Sequence, residues 1–231
     1  MAAVGLLGTT AAGTASALAF DLGTIGANGG ALCGSNCVIA NKAEDTFSLG
    51  GLTVGAIGYN ATGRVAYVTQ KPGAFGAGGG ETGLGESDTS PSPSDSDFEV
   101  TTKTWLLLDN SLAHASGYQT ESISVESIQG GEGAKVYSYS GSLSALDVSK
   151  LTLLATLTSA GGVTQTVAIP DTTYIVVQAY EPAGGAAGSD IVISELGFKA
   201  AVPEPATWAM MLVGFGLAGS AVRARRRTTL A

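Results

Sequence analysis

The residues able to do chemistry are few and far apart. Two cysteines stand in Ala31-Leu32-Cys33-Gly34-Ser35-Asn36-Cys37. If the chain is exported, a C-x3-C pair of this kind closes a small disulfide loop, so Cys33 and Cys37 are expected to be bonded. Thiol redox chemistry uses the shorter C-x-x-C spacing, and a zinc centre needs more cysteine or histidine ligands than a chain with one histidine supplies. That histidine, His114, lies in Leu112-Ala113-His114-Ala115-Ser116, without the Gly-x-Ser-x-Gly setting that exposes a serine nucleophile. It reads as an exposed or strand-end side chain. Acids are commoner: Asp88, Asp95, Asp97 and Glu99 stand close in sequence, and Glu195 joins them if a sandwich brings its first and last strands together. Six to eight oxygens make a calcium site, and this is the one metal the acids suggest. Neither an EF-hand loop nor a Gly-Gly-x-Gly-x-Asp repeat is present, and a solvated acidic loop is the plainer reading. Carboxylate pairs also serve glycoside hydrolysis, but no pattern here singles out a pair.

The elements that must position these residues are strands. Short apolar or alternating runs, separated by turn residues, occupy Leu52 to Tyr59, Arg64 to Gln70, Phe98 to Leu108, Ser122 to Ile128, Ala134 to Ser140, Leu151 to Leu157, Val163 to Ile169, Thr173 to Tyr180 and Asp190 to Phe198. No long segment with a 3.6-residue period interrupts them. Glycine at 34 of 231 residues and a charged fraction of 13% agree with many turns and β-structure. The expected fold is mainly β, an antiparallel β-sandwich of jelly-roll type over residues 20–200, with a helical turn within Ser144 to Lys150. Residues 71–97 hold Gly76-Ala77-Gly78-Gly79-Gly80, Gly83-Leu84-Gly85-Glu86-Ser87-Asp88 and Pro91-Ser92-Pro93-Ser94-Asp95-Ser96-Asp97, and read as a flexible acidic loop.

The two ends differ from the middle. Ala2 to Ala19 carry no charge, and Ala15-Ser16-Ala17 or Ala17-Leu18-Ala19 offers the small-x-small pattern of a signal peptidase site, so residues 1–19 read as a signal peptide. The basic start of such a segment is missing, since no Lys or Arg precedes Lys42, which places the true start upstream or makes the first methionine internal. From Trp208 to Val222 there is again no charge, and at about 1.5 Å per residue the run nearly crosses a hydrocarbon core of roughly 30 Å. A transmembrane helix is expected over 207–222, with Trp208 at one interface. Arg223, Arg225, Arg226 and Arg227 hold the cytoplasmic side, so Pro203-Glu204-Pro205 and everything before it face outward.

Val202 to Arg227 resembles the PEP-CTERM sorting signal read by exosortase. The likeness rests on Pro203-Glu204-Pro205, Trp208-Ala209, the run from Met210 to Gly216 and the arginines, in that order. It implies that residues 201–231 are a sorting signal, that the chain is held for a time in the inner membrane, and that exosortase processes it near the triplet for release to the cell surface or extracellular matrix. A looser likeness to the exported domains of such proteins covers Gly83-Leu84-Gly85, the acidic run and Phe98 to Asp109. It implies a Gly-Leu-Gly turn before a sandwich strand, although Thr101, Thr102 and Thr104 replace the acids or asparagines expected there.

Charge narrows the partners. The segment from Glu204 onward carries four arginines against one glutamate, so its removal takes the formal charge from −8 to −11. Such a chain is a poor ligand for nucleic acid, whose affinity rests on Lys and Arg at phosphates. The expectation is a noncatalytic exported surface or matrix protein whose partners are exosortase, signal peptidase and, transiently, the inner membrane. The alternative is a module that binds extracellular polysaccharide by stacking Trp105, Tyr118, Tyr137, Tyr139 or Tyr180 on sugar rings, although core packing is the commoner use of such aromatics. A hydrolase acting through carboxylates is the third class.

Overall fold

A computed structural model of the chain describes residues 17–32, 37–39, 44–71, 82–87, 98–128, 130–161, 164–182, 190–201, 210–219 and 223. The strands in chain order are β1 (Ala17–Asp21), β2 (Cys37–Val38), β3 (Asp45–Leu49), β4 (Leu52–Tyr59), β5 (Val65–Lys71), β6 (Gly83–Ser87) and β7 (Val100–Thr101). There follow β8 (Trp105–Asp109), the one-turn helix α1 (Ser111–Ala115), β9 (Tyr118–Glu126), β10 (Gly133–Tyr139), β11 (Leu151–Thr158), β12 (Gln165–Ala168), β13 (Tyr174–Tyr180) and β14 (Asp190–Ala200). A 3-10 turn at Val148–Lys150 stands within the predicted helical turn, capped by the Asp147 carboxylate, which accepts from the Ser149 N–H at 3.0 Å.

These strands make a mainly β, antiparallel, nearly closed and barrel-like sheet, with the order β11-β10-β13-β8-β4-β5-β6-β14-β9-β12. β5 is the strand on which the path turns: its first residues pair with β4 and its later ones with β2 and β6. The two arms face each other across one core. Val54 and Ala56 of β4, Leu106 and Leu108 of β8, and Ile175 and Val177 of β13 meet Ile123 and Val125 of β9 and Ile191, Ile193, Leu196 and Phe198 of β14. Phe20 of β1 closes the cluster edge-to-face on Phe198, with ring centroids 6.2 Å apart.

The other face of the β4-β8-β13 arm is also covered. Ile57, Tyr59, Leu107 and Val176, which alternate with the residues above, form a second cluster with Tyr139 and Leu146. Burial on both faces explains why Trp105-Leu106-Leu107-Leu108 is apolar without alternation. The covering segment is tied down by phenols: Tyr59 donates to the Leu143 carbonyl at 2.6 Å, and Tyr139 lies 3.0 Å from the Ser142 carbonyl. Burial pushes the Tyr59 phenol well above its ordinary range.

Two expectations about chain path are corrected. Residues 71–97 are not a loop throughout: Lys71 ends β5, and Gly83–Ser87 is the buried strand β6 between β5 and β14. Glycines hid this strand because they are poor strand formers, yet they are required where a neighbouring backbone comes close. A Cβ on Gly85 would collide with the Phe98 carbonyl oxygen, and one on Gly83, at φ +153°, with that of Ile193. Residues 72–81 and 88–97 lie outside the described residues. The run from Phe98 to Leu108 is two strands, β7 and β8, separated by a turn in which the Thr101 N–H donates to Thr104 Oγ1 at 2.9 Å.

The chain divides into a unit Met1–Ala200 and a unit Ala201–Ala231. In the first, residues 17–19 of the predicted signal segment lie in β1, and residues 1–16 are outside the described residues. In the second, residues 210–219 are helical and expose Met210, Leu212, Phe215 and Leu217 to more than half their area. Arg223 is helical and exposed as well. Among the described residues no helix is long and apolar enough to cross a membrane, so a span over 207–222 is not seen as such.

Candidate functional site

Among the described residues, polar side chains line a cleft of about 210 Å3 where β1, β9, β12 and β14 meet, beside an irregularity of β14. Across β9, Ile193 pairs with Val125 and Glu195 with the adjacent Ser124, so Ser194 is an extra residue, a β-bulge. Were Ser194 paired regularly rather than bulged, strict alternation would turn Leu196 and Phe198 away from the core that Ile191 and Ile193 enter. The bulge restores the phase and leaves Ser194 and Glu195 both lining the cleft. The sequence signal for it was the break in alternation at Ile193-Ser194-Glu195-Leu196.

Three carboxylates line the cleft. Asp21, on β1, pairs in register with Glu195 and accepts from the Gly23 N–H at 2.9 Å. Glu126, at the end of β9, accepts from the Thr82 N–H at 3.0 Å. Burial pushes the Glu195 carboxyl above its usual range, and the charge of Asp21 adds to the rise. Hydroxyls complete the lining: Ser124 and Thr166 share a hydrogen bond of 2.7 Å, and Ser194 donates to the Ser124 carbonyl at 3.4 Å. Chemically this is a surface of oxygen donors and acceptors, suited to hydroxylated ligands. Among the described residues, no group of three or more His, Cys, Asp or Glu is arranged to hold a metal ion.

The sequence-predicted residues fall in different places. Of the calcium set, Glu195 lines the cleft, whereas Glu99 lies buried against the Lys71 ammonium and is not part of that lining. Asp88, Asp95 and Asp97 lie outside the described residues. So do Pro203, Glu204, Pro205, Trp208, Ala209, Arg225, Arg226, Arg227 and Cys33; Cys37 is disulfide-bonded. Asp21, Glu126 and the hydroxyls of the cleft were missed because only strand pairing brings them to Glu195. Of the proposed sugar-stacking aromatics, Tyr139 is buried, Trp105 and Tyr137 pack against the second cluster and Tyr118 against the main one. Tyr180 lies under the Lys135 ammonium, 4.1 Å from its ring centre.

His114 is held at the end of α1, where its Nε2 is 3.0 Å from Asp171 Oδ1 and 3.3 Å from Thr120 Oγ1. Asp171 Oδ1 also accepts from the Thr120 N–H at 2.9 Å. Asp171 and Thr120 thus share one ring nitrogen. The other nitrogen faces Thr173 Oγ1 at 3.5 Å. The arrangement ties α1 to the start of β9 and to the turn at residues 170–173.

No curated protein and no solved structure matches this chain. The family model of the PEP-CTERM protein-sorting motif does match, over residues 201–227. The chain therefore carries, in its C-terminal segment, a PEP-CTERM protein-sorting motif.

Proposed function

We propose that this chain is a noncatalytic cell-surface or extracellular-matrix protein, a jelly-roll-like β-sandwich exported and then sorted through its C-terminal segment. The observation that carries the reading is the motif over residues 201–227, which implies exosortase as the processing partner. The exposed apolar helix at residues 210–219 supports a transient inner-membrane anchor, because side chains such as Phe215 and Leu217 are costly to leave in water. Arg223 at its C-terminal side supports a cytoplasmic end there. The buried β-core and the disulfide at Cys37 suit an oxidising compartment. Signal peptidase acts at the other end of the chain in this scheme.

The test is expression in an export-competent host with and without exosortase, following the mass and location of the mature C-terminus. Loss of the tail near Pro203-Glu204-Pro205, only with the enzyme present, is expected. A full-length cytoplasmic chain in both hosts would sink the proposal. A second reading, polysaccharide binding, is favoured by the cleft of carboxylates and hydroxyls rather than by the packed aromatics. It expects polysaccharide pull-down that fails in Glu195→Gln while the fold is retained; retention without loss in that variant removes the cleft as the site.

A further inference from the structure

Two small-x-small sequences compete as the point where the leading segment is removed, and periodicity alone does not separate them. Cleavage after Ala17 leaves Leu18 as the first residue, whereas cleavage after Ala19 leaves Phe20. The fold treats these products differently. β1 pairs with the last strand residue by residue: Ala17 with Lys199, Leu18 with Phe198, Ala19 with Gly197, Phe20 with Leu196 and Asp21 with Glu195. The Leu22 N–H donates to the Ser194 carbonyl at 2.9 Å, so by the two-residue period of an antiparallel ladder the N–H groups of Phe20 and Leu18 face Leu196 and Phe198. Leu18 is half-buried and packs on the main core, and Phe20 is fully buried against the Phe198 ring.

Cleavage after Ala19 would remove Leu18 from that packing. It would also set a new α-ammonium group, charged at neutral pH, on a residue with no exposed surface. Cleavage after Ala17 does neither: it keeps Leu18 to Asp21 whole and places the new charge at the strand's first residue. We infer that signal peptidase cuts between Ala17 and Leu18, and that Leu18 to Asp21 then serve as the first strand of the mature domain. The step is a hydrolysis. One water adds across the Ala17–Leu18 peptide bond, leaving the carboxylate on Ala17 and the ammonium on Leu18. It rests on the export reading above, and it adds to that reading which residue the mature chain begins with.

The experiment is N-terminal sequencing and intact mass of the exported protein produced from its native gene, beside Ala15→Leu and Ala19→Leu. Ala15 is the outer small residue of the first pattern only, and Ala19 is the inner one of the second only. Ala19 is also exposed, so its replacement leaves the core alone. The expected result is a mature chain starting at Leu18, with processing lost in Ala15→Leu and unchanged in Ala19→Leu. A mature start at Phe20, or loss of processing in Ala19→Leu, overturns the assignment while leaving export intact. An unprocessed chain kept in the cytoplasm overturns both.

Discussion

Asp45 is a side chain whose surroundings oppose its charge. It is buried at 1% exposure, its Oδ1 accepts from Asn28 Nδ2 at 2.7 Å, and its Oδ2 has no hydrogen-bond partner among the described residues. Burial raises its pKa above the ordinary 3.8 against the opposing bond from Asn28. The folded chain therefore holds a proton over a pH range in which the unfolded chain has released it. The stability this contributes is full below about 3.8 and is lost as pH climbs through the raised value. Asp45→Asn keeps an acceptor for Asn28 and cannot ionise, so the decline of melting temperature across this window is expected to flatten, as thermal scans at stepped pH would record. The aromatic pair gives a plainer test: Phe198→Ala, at a fully buried ring, should cost about 3–5 kcal/mol in urea unfolding. Glu195 was singled out in the sequence and lies in the cleft, whereas Asp21 and Glu126 were not singled out, since their meeting depends on strand order rather than on any local pattern.

Among the elements, the continuous runs rich in β-branched and aliphatic residues were the easiest to read. β4 was expected at Leu52 to Tyr59 and lies there, and β10, β11 and β13 fall within a residue or two of their expected bounds. Length and β-branched content identified them even where alternation failed. β6 was hidden by its glycines, and its dependence on them can be measured. Gly85→Ala should lose about 1–3 kcal/mol, because the backbone of Phe98 has no flexible end to move aside. Leu153→Thr, on the exposed side of β11, should stay within about 0.5 kcal/mol. The bulge of β14 makes an opposite kind of prediction. Deleting Ser194 leaves Ile191, Ile193, Leu196 and Phe198 in strict alternation, so the variant should fold with its core phase intact. Inserting one alanine after Leu196 turns Phe198 outward and should abolish cooperative unfolding.

For the whole molecule, the division between a β unit and a sorting segment was plain in composition, whereas the joining of the two ends of the β unit was not. Ala17 to Ala19 have the look of a leader's small-residue end, and only their pairing with β14 reveals a strand. Loss of the segment from Glu204 removes four positive charges and one negative, so the sorted form should focus at lower pH than the full-length chain in isoelectric focusing. The pairing of β1 with β14 has a mechanical consequence. Because Leu18 lies opposite Phe198, tension applied between the two ends of this strand pair enters one rung of the ladder at a time and opens it like a zipper. A load shared by all rungs at once would meet far greater resistance. The first strand is thus peeled from its neighbour rung by rung when the ends are pulled, while the same ladder loaded along its length would hold.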